Sequence, residues 1–240
     1  MRIIVCENYE EMSKVGARIF AAQMTLKPDS ILGLATGSTP VGLYRELIRM
    51  NEAGEIDFAP ITTFNLDEYY PISPDNDQSY RYFMNENLFD HVNIDKARTH
   101  VPNGLAEDPE AEGKAYDAAI AAAGGIDIQL LGIGVNGHIA FNEPDGELIV
   151  GTHVTGLTDS TIEANSRFFA SREEVPTRAL TMGMASILSA KKIVLLANGA
   201  KKHDAVQKLL DDTITTQWPA TLLKVHPDVT LICDKEAYEG

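Results

Sequence analysis

Three side chains able to move protons stand out by their setting in the chain. His138 and Glu143 lie in Gly137-His138-Ile139-Ala140-Phe141-Asn142-Glu143-Pro144, directly after an apolar run, Ile126–Ile133, that breaks at glycines. Asp67 lies in Asn65-Leu66-Asp67-Glu68-Tyr69, at the end of a second apolar run that starts near Ile61. A buried strand that ends in a glycine turn leaves the next residues at the rim of a sheet, where open α/β folds bind their ligands. Imidazole and carboxylate groups placed there suit general acid–base work near neutral pH. Taken singly, an Asp after a strand more often caps a turn and a lone His is more often structural. The combination is what points to chemistry.

Other segments are suited to holding an anion. In Gly33–Pro40, GLATGSTP, a strand gives way to a glycine turn and then to a helix start. Ser or Thr is read as the cap and Pro40 as part of the first turn. The backbone amides of Thr36, Gly37, Ser38 and Thr39, with three hydroxyls, would form an anion cradle there. No Lys follows the glycine, so this is not the triphosphate-binding Walker A loop. Cations for a phosphate are at hand in Arg167, within Asn165-Ser166-Arg167-Phe168-Phe169, and in Lys201 and Lys202, just past the apolar run Lys192–Ala197. Residues Gly132–Gly137 also match the G-x-G-x-x-G dinucleotide fingerprint. That fingerprint needs a helix at its third glycine, whereas His138–Pro144 reads as a loop, so a nicotinamide cofactor is not expected.

The elements that must position these residues alternate regularly. Strand-like runs at Arg2–Cys6, Ser30–Ala35, Ile61–Leu66, Ile126–Ile133, Lys192–Ala197 and Val229–Cys233 are separated by helical patterns. The helices are expected at Tyr9–Met24, Val41–Asn51, Gln78–Phe89, Pro109–Ala122, Lys201–Leu210 and Pro219–Val225. Such alternation predicts an α/β fold with a mostly parallel sheet covered by helices on both faces. One domain over residues 1–240 is expected. Tyr69–Asp77 reads as a loop. Asn142–Ser166 lacks core periodicity apart from a short helical pattern at Ser160–Ser166, and a lid is expected within 142–170.

Composition limits the partners. The formal charge of −15, with no basic run, disfavours nucleic acid and anionic membrane surfaces. Cys6 and Cys233 belong to no metal-ligand or disulfide pattern and are expected as buried free thiols. No signal peptide or spanning segment is evident, so a cytoplasmic location is expected.

Together, ATGSTP, NLDEY, GHIAFNEP, NSRFF and the late Gly199-x-x-Lys202 occur in the order found in glucosamine-6-phosphate deaminases, and the chain resembles that family over nearly its whole length. GHIAFNEP is the most specific of these segments. The resemblance implies a single domain with a modified Rossmann-like sheet. It also implies conversion of glucosamine 6-phosphate and water to fructose 6-phosphate and ammonia, without metal or cofactor. By position, it implies that Asp67 moves a proton between C2 and C1 of the open-chain sugar. His138 would shuttle the proton of ring opening, Glu143 would support it, and Asn136 would orient the imidazole through its carbonyl oxygen. Thr36, Gly37, Ser38 and Thr39, with Arg167 and Lys202, would bind the phosphate; Lys202 fits the family spacing better than Lys201. The nearest alternative is a 6-phosphogluconolactonase-like hydrolase, which needs no carboxylate for a carbon-bound proton. A sugar-phosphate sensor would keep the cradle but lose Asp67, His138 and Glu143. The glucosamine and galactosamine epimers are not separated by these motifs.

Two departures carry expectations. Many relatives have Asp where this chain has Asn136, and an amide cannot supply the negative charge that stabilises an imidazolium. Allosteric relatives bind an acetylated sugar phosphate with basic residues after GHIAFNEP. Here that segment, Gly151–Gly156, has no Lys or Arg, and the longer tail of those relatives is missing after Cys233. A monomer or small homo-oligomer is therefore expected. Initial rates are expected to follow a hyperbola in substrate and to be unchanged by N-acetylglucosamine 6-phosphate. A sigmoidal curve that this ligand makes hyperbolic would overturn that expectation.

Overall fold

The computed structural model describes residues 1–158, 162, 171 and 174–240. In chain order its elements are β1 (Arg2–Cys6), α1 (Tyr9–Leu26), β2 (Ile31–Leu34), α2 (Val41–Glu52), β3 (Thr62–Asn65) and β4 (Asp67–Tyr70). Next come α3 (Tyr80–Asn87), β5 (Thr99–His100), α4 (Pro109–Ala122), β6 (Ile128–Gly132), β7 (His153–Gly156) and β8 (Arg178–Thr181). The chain continues through α5 (Met184–Leu188), β9 (Ile193–Ala197), α6 (His203–Leu210), β10 (Val229–Asp234) and α7 (Lys235–Glu239).

The inner strands are apolar at successive positions because helices cover both of their faces. Every residue of β2, ILGL, and of β9, IVLLA, is buried. Helix starts follow local capping chemistry. The Asn8 side chain accepts from the Glu11 N–H at the head of α1, and Asp108 accepts from Glu110 and Ala111 ahead of α4, with Pro109 in its first turn.

The main sheet has seven parallel strands in the order β1-β10-β9-β6-β2-β3-β5. From β2 the chain steps outward to β3 and β5; from β6 it steps the other way, to β9 and β10. The direction reverses between β2 and β6, which pair through Leu32 with Ile128 and Gly33 with Gln129. A crevice at the carboxyl ends of such a pair is the usual ligand site of this architecture.

A second sheet of three antiparallel strands, β4-β8-β7, stands on this rim. Leu66 joins the two sheets. Its N–H donates to Leu34 O at 3.0 Å and its C=O accepts from Met182 N at 2.8 Å. Beneath the small sheet lies its own apolar cluster, which includes Tyr69, Ile72, Phe141 and Ala179.

Several expectations are revised. The run from Ile61 does not carry Asp67 at its end: β3 stops at Asn65, and Asp67 opens β4, where the main ladder gives way to pairing with β8. Tyr69 and Tyr70 are strand residues rather than loop. Segment 142–166 contains β7, a strand only partly buried and so without a clear apolar alternation. Pro219–Val225 is a 3₁₀ helix, and the expected helix at Lys201 begins at His203 after a 3₁₀ turn. The short helix expected at Ser160–Ser166, and the lid beyond residue 158, lie outside the described residues except for Ile162. Among the described residues, no helix is long and apolar enough to cross a membrane.

Tyr44 locks the carboxyl end of β2. Its fully buried hydroxyl accepts from Ala35 N at 3.2 Å and donates to Ala35 O at 2.5 Å. Tyr44→Phe would leave both backbone groups unpaired away from water, at a cost of roughly 1–3 kcal/mol. The expected result is a lower urea midpoint with an unchanged denaturant slope, read by circular dichroism.

Candidate active site

Four neighbouring strands of the main sheet, β9, β6, β2 and β3, deliver the candidate residues. Their carboxyl ends lead, respectively, into the turn with Lys202, the loop with Asn136, His138 and Glu143, the Thr36–Thr39 turn, and the junction to Asp67. The segments are tied across the rim. Thr39 Oγ1 donates to Asn198 Oδ1 at 3.1 Å, joining the turn after β2 to that after β9. Thr181 pairs with Asp67 through its backbone, while its hydroxyl accepts from Phe141 N at 3.1 Å. One residue thus fixes both the carboxylate strand and the histidine loop.

Asp67 is 6% exposed, and nothing among the described residues donates a hydrogen bond to its carboxylate. Burial, with a smaller contribution from neighbouring Glu68, pushes its pKa up to about 8. A buried, unpartnered carboxylate at a sheet rim is costly, and such groups concentrate at reaction sites. Glu68 is different. It accepts from Tyr69 N at 2.9 Å, Tyr80 N at 2.8 Å and Arg81 N at 2.9 Å, so it seats the start of α3. Burial pushes Glu68 up to about 7 against the pull of these three amides.

The histidine loop is built around glycine and an Asx turn. Gly134 N donates to His138 O at 2.9 Å, which closes the turn. The imidazole lies directly over Gly134: a Cβ there would sit 2.3 Å from ring atoms Cε1 and Nδ1. The second glycine of the dinucleotide-like pattern makes room for a histidine, not a pyrophosphate. Glu143 Oε2 lies 3.3 Å from His138 Nδ1, off the line of a hydrogen bond. Two residues beyond the imidazole, Ala140 holds a φ of +51°, a conformation that non-glycine residues adopt at a cost and that clusters at working sites.

Asn136 does not do what its position suggested. Its Oδ1 accepts from the backbone N–H of His138 at 3.3 Å, and its Nδ2 donates to Glu143 Oε2 at 2.7 Å. The backbone N–H two residues on is the natural partner of an Asx carbonyl. The amide therefore orients the imidazole indirectly, by holding Glu143 beside Nδ1.

The anion end is open. Gly37 and Ser38 are exposed, and no described residue accepts from the backbone N–H groups of Gly37, Ser38 or Thr39. The expected side-chain cap on α2 is not formed, because Thr39 is turned to Asn198 and Pro40 occupies the cap position. Tyr9 pins the loop instead, donating from its hydroxyl to Ser38 O at 3.0 Å and accepting from Gly42 N at 2.8 Å. Lys202 has no carboxylate partner among the described residues, and desolvation holds its pKa below the ordinary lysine value. A half-buried cation in that setting is suited to an incoming anion. Its turn is fixed by Asp234, whose two carboxylate oxygens each accept from Gly199 N at 3.0 Å. Lys201 is exposed and faces solvent. Arg167 lies outside the described residues. Sequence reasoning missed Thr181 and Asp234, because each acts on a segment distant in the chain that spacing alone does not reveal.

With this geometry in place, the comparisons define the class. The chain belongs to the family described as glucosamine-6-phosphate isomerases/6-phosphogluconolactonase, whose model matches residues 10–232. Within it, the chain is 58% identical to a glucosamine-6-phosphate deaminase of Clostridium perfringens over 237 residues, covering 99% of this chain and 98% of the relative. It is 57% identical to a glucosamine-6-phosphate deaminase of Halothermothrix orenii, with the same coverage. A solved monomeric glucosamine-6-phosphate deaminase superposes with a TM-score of 0.96 at 48% identity, covering 99% of this chain and 98% of that one. A 6-phosphogluconolactonase from Leishmania guyanensis shares the fold with a TM-score of 0.74 at 23% identity, over 100% and 98% of the two chains.

The buried carboxyl groups carry two expected outcomes. In the folded protein Asp67 binds its proton more tightly than an unfolded Asp, so it lowers stability as pH rises from about 4 toward about 8. Asp67→Asn is expected to raise the thermal midpoint at pH 8–9 by at least about 2 °C, the gain shrinking toward pH 4. Asn136→Asp would set a second carboxylate against Glu143 and raise the proton affinity of the cluster. The acid limb of its kcat–pH profile is expected to move to higher pH; an unmoved limb would refute the charge argument.

Proposed function

We propose that this protein is a glucosamine-6-phosphate deaminase, converting glucosamine 6-phosphate and water to fructose 6-phosphate and ammonia. The observation that carries the reading is a full-length likeness to such deaminases together with a buried, unpartnered Asp67 at the rim where the lactonase reaction needs none. The substrate has a phosphate at one end and a hemiacetal at the other. The amides and hydroxyls of Thr36, Gly37, Ser38 and Thr39, with Lys202 and Arg167, take the phosphate. Tethering it lends binding energy to the reacting carbons.

His138 then takes the proton of O1 and delivers one to O5, opening the ring, while Glu143 offsets the charge that forms on the imidazole. Asp67 acts next, as the base that removes the C2 proton and returns it to C1. Before substrate binds, burial keeps this group protonated near neutrality. The substrate brings an ammonium on C2, and a cation at contact distance favours the carboxylate form. The substrate thus prepares the base that acts on it. Loss of the C2 proton gives an enolamine, with O1 taking a proton from the ammonium, and return of the C2 proton to C1 converts it to an iminium at C2. Water adds, and ammonia leaves with the proton count balanced. No metal or cofactor enters these steps. We further propose a cytoplasmic protein that works as a monomer or small homo-oligomer.

A coupled assay for ammonia and fructose 6-phosphate tests the reading, with lactone hydrolysis measured alongside. Asp67→Asn is expected to lower kcat by at least about 10³-fold while KM changes by less than about threefold. Lys202→Met is expected to raise KM at least tenfold, with a smaller effect on kcat, by the loss of about 1.4 kcal/mol or more of ground-state binding. Lactone hydrolysis without ammonia would replace the proposal with its rival.

A further inference from the structure

We propose that residues 215–220 form a strap that positions the proton-handling loop, with Trp218 as its principal contact. The inference deepens the reading of His138 and Glu143 as the ring-opening pair and rests on it. The strap grips the loop on both sides of that pair. On one side, Ala220 N donates to Gly137 O at 2.8 Å. The Trp218 side chain bears on the same residue: a Cβ on Gly137 would fall 2.6 Å from Trp218 Cε3. Gly137 holds a φ of +79°, so both its backbone conformation and the indole exclude a side chain there. On the other side, Asp145 O accepts from Thr216 Oγ1 and from Gln217 Nε2, each at 2.6 Å. His138 comes directly after the first grip, and Glu143 lies two residues before the second.

The strap is itself held in shape. Thr221 Oγ1 accepts from Thr215 N at 2.9 Å and donates to Trp218 O at 2.7 Å, and Trp218 N donates to Thr215 O at 3.2 Å. The indole is half-buried against the main core. It is therefore a rigid body placed where the loop has no side chain of its own. The imidazole leans on Gly134 on the near side of the turn, and Trp218 backs the turn at Gly137. Removing the indole opens space beside Gly137, the residue that leads directly into His138. Trp218 touches no reacting atom in this scheme; it is a positioning residue.

The test compares Trp218→Ala, Trp218→Phe and the double variant Thr216→Val with Gln217→Leu against the unchanged protein. Trp218→Ala is expected to lower kcat about 10- to 100-fold, with KM for glucosamine 6-phosphate within about threefold, the effect of a displacement near 1 Å in a reacting group. Trp218→Phe is expected to restore most of kcat. The surface double variant, which keeps the core, is expected to lower kcat in the same sense by a smaller factor. A second readout needs no turnover. In ¹⁵N-edited NMR of the ligand-free protein, the His138 imidazole signals, identified by their loss in His138→Gln, are expected to shift or broaden in Trp218→Ala. Those of His226, whose Nε2 donates to Ala190 O at 2.7 Å, are expected to stay in place. Unmoved His138 signals with an unchanged kcat in Trp218→Ala, or equal disturbance of both histidines, would overturn the proposal. Absence of ammonia production by the unchanged protein would fell the functional reading, while the NMR comparison would still judge the strap.

Discussion

The pairing of β2 with β6 is the constraint on which the rest depends. These two strands touch at the centre of the main sheet, yet the chain leaves them in opposite directions. Their carboxyl ends therefore share a crevice that no crossover helix can fill. The two loops that leave that pair are the Thr36–Thr39 turn and the histidine loop, and the neighbouring strands on either side add Asp67 and Lys202. If the pairing slipped by one residue, every side chain of β6 would change faces, and the histidine loop would leave from the wrong place. The second sheet is subordinate to this frame. It hangs on Leu66, whose two backbone groups are shared between β2 and the chain just beyond β8.

The electrostatics of the molecule come from keeping opposite needs apart. A chain with a net charge of −15 must hold a phosphate, so its general field opposes the ligand and local groups must overcome it. In the proposed site, the groups that overcome it are neutral donors of residues 36–39 and the half-buried Lys202. At the other end of the crevice the problem is reversed. Asp67 is stripped of water and given no donor by the described residues, which disfavours its anion; in the proposed mechanism the substrate's ammonium relieves that. Glu68, its neighbour in sequence, receives three amide donors and serves the fold. Two adjacent carboxylates are thus assigned to different tasks by where their hydrogen bonds go.

Much of this was legible in the sequence. Apolar runs at β2, β6, β9 and β10 marked the parallel sheet because strands buried on both faces are dominated by apolar residues. The glycine turns marked the rim. What sequence did not yield was the small sheet. β4, β7 and β8 are four residues each, mix polar with apolar residues, and pair antiparallel across long separations, as in Asp67 with Thr181, so no local periodicity announces them. The site was legible by residue and less so by contact. Asn136 was placed correctly in the loop, but whether its amide meets the imidazole or Glu143 depends on a turn that closes only in three dimensions. The role of Asp234 depends on strands β9 and β10 lying side by side, which spacing along the chain does not reveal.

The phenol of Tyr9 carries one proton, and that proton is committed to Ser38 O, while its lone pair is committed to Gly42 N. It has nothing left to offer an oxyanion. It also withdraws one of the amides at the head of α2 from service. The turn proposed to seat the phosphoryl oxygens is therefore bounded on the helix side by an aromatic ring from α1, and its backbone donors are those of residues 36–39. In the proposed reading, that ring sets the inner limit for the ligand's anion, and with it the reach of the sugar attached to it.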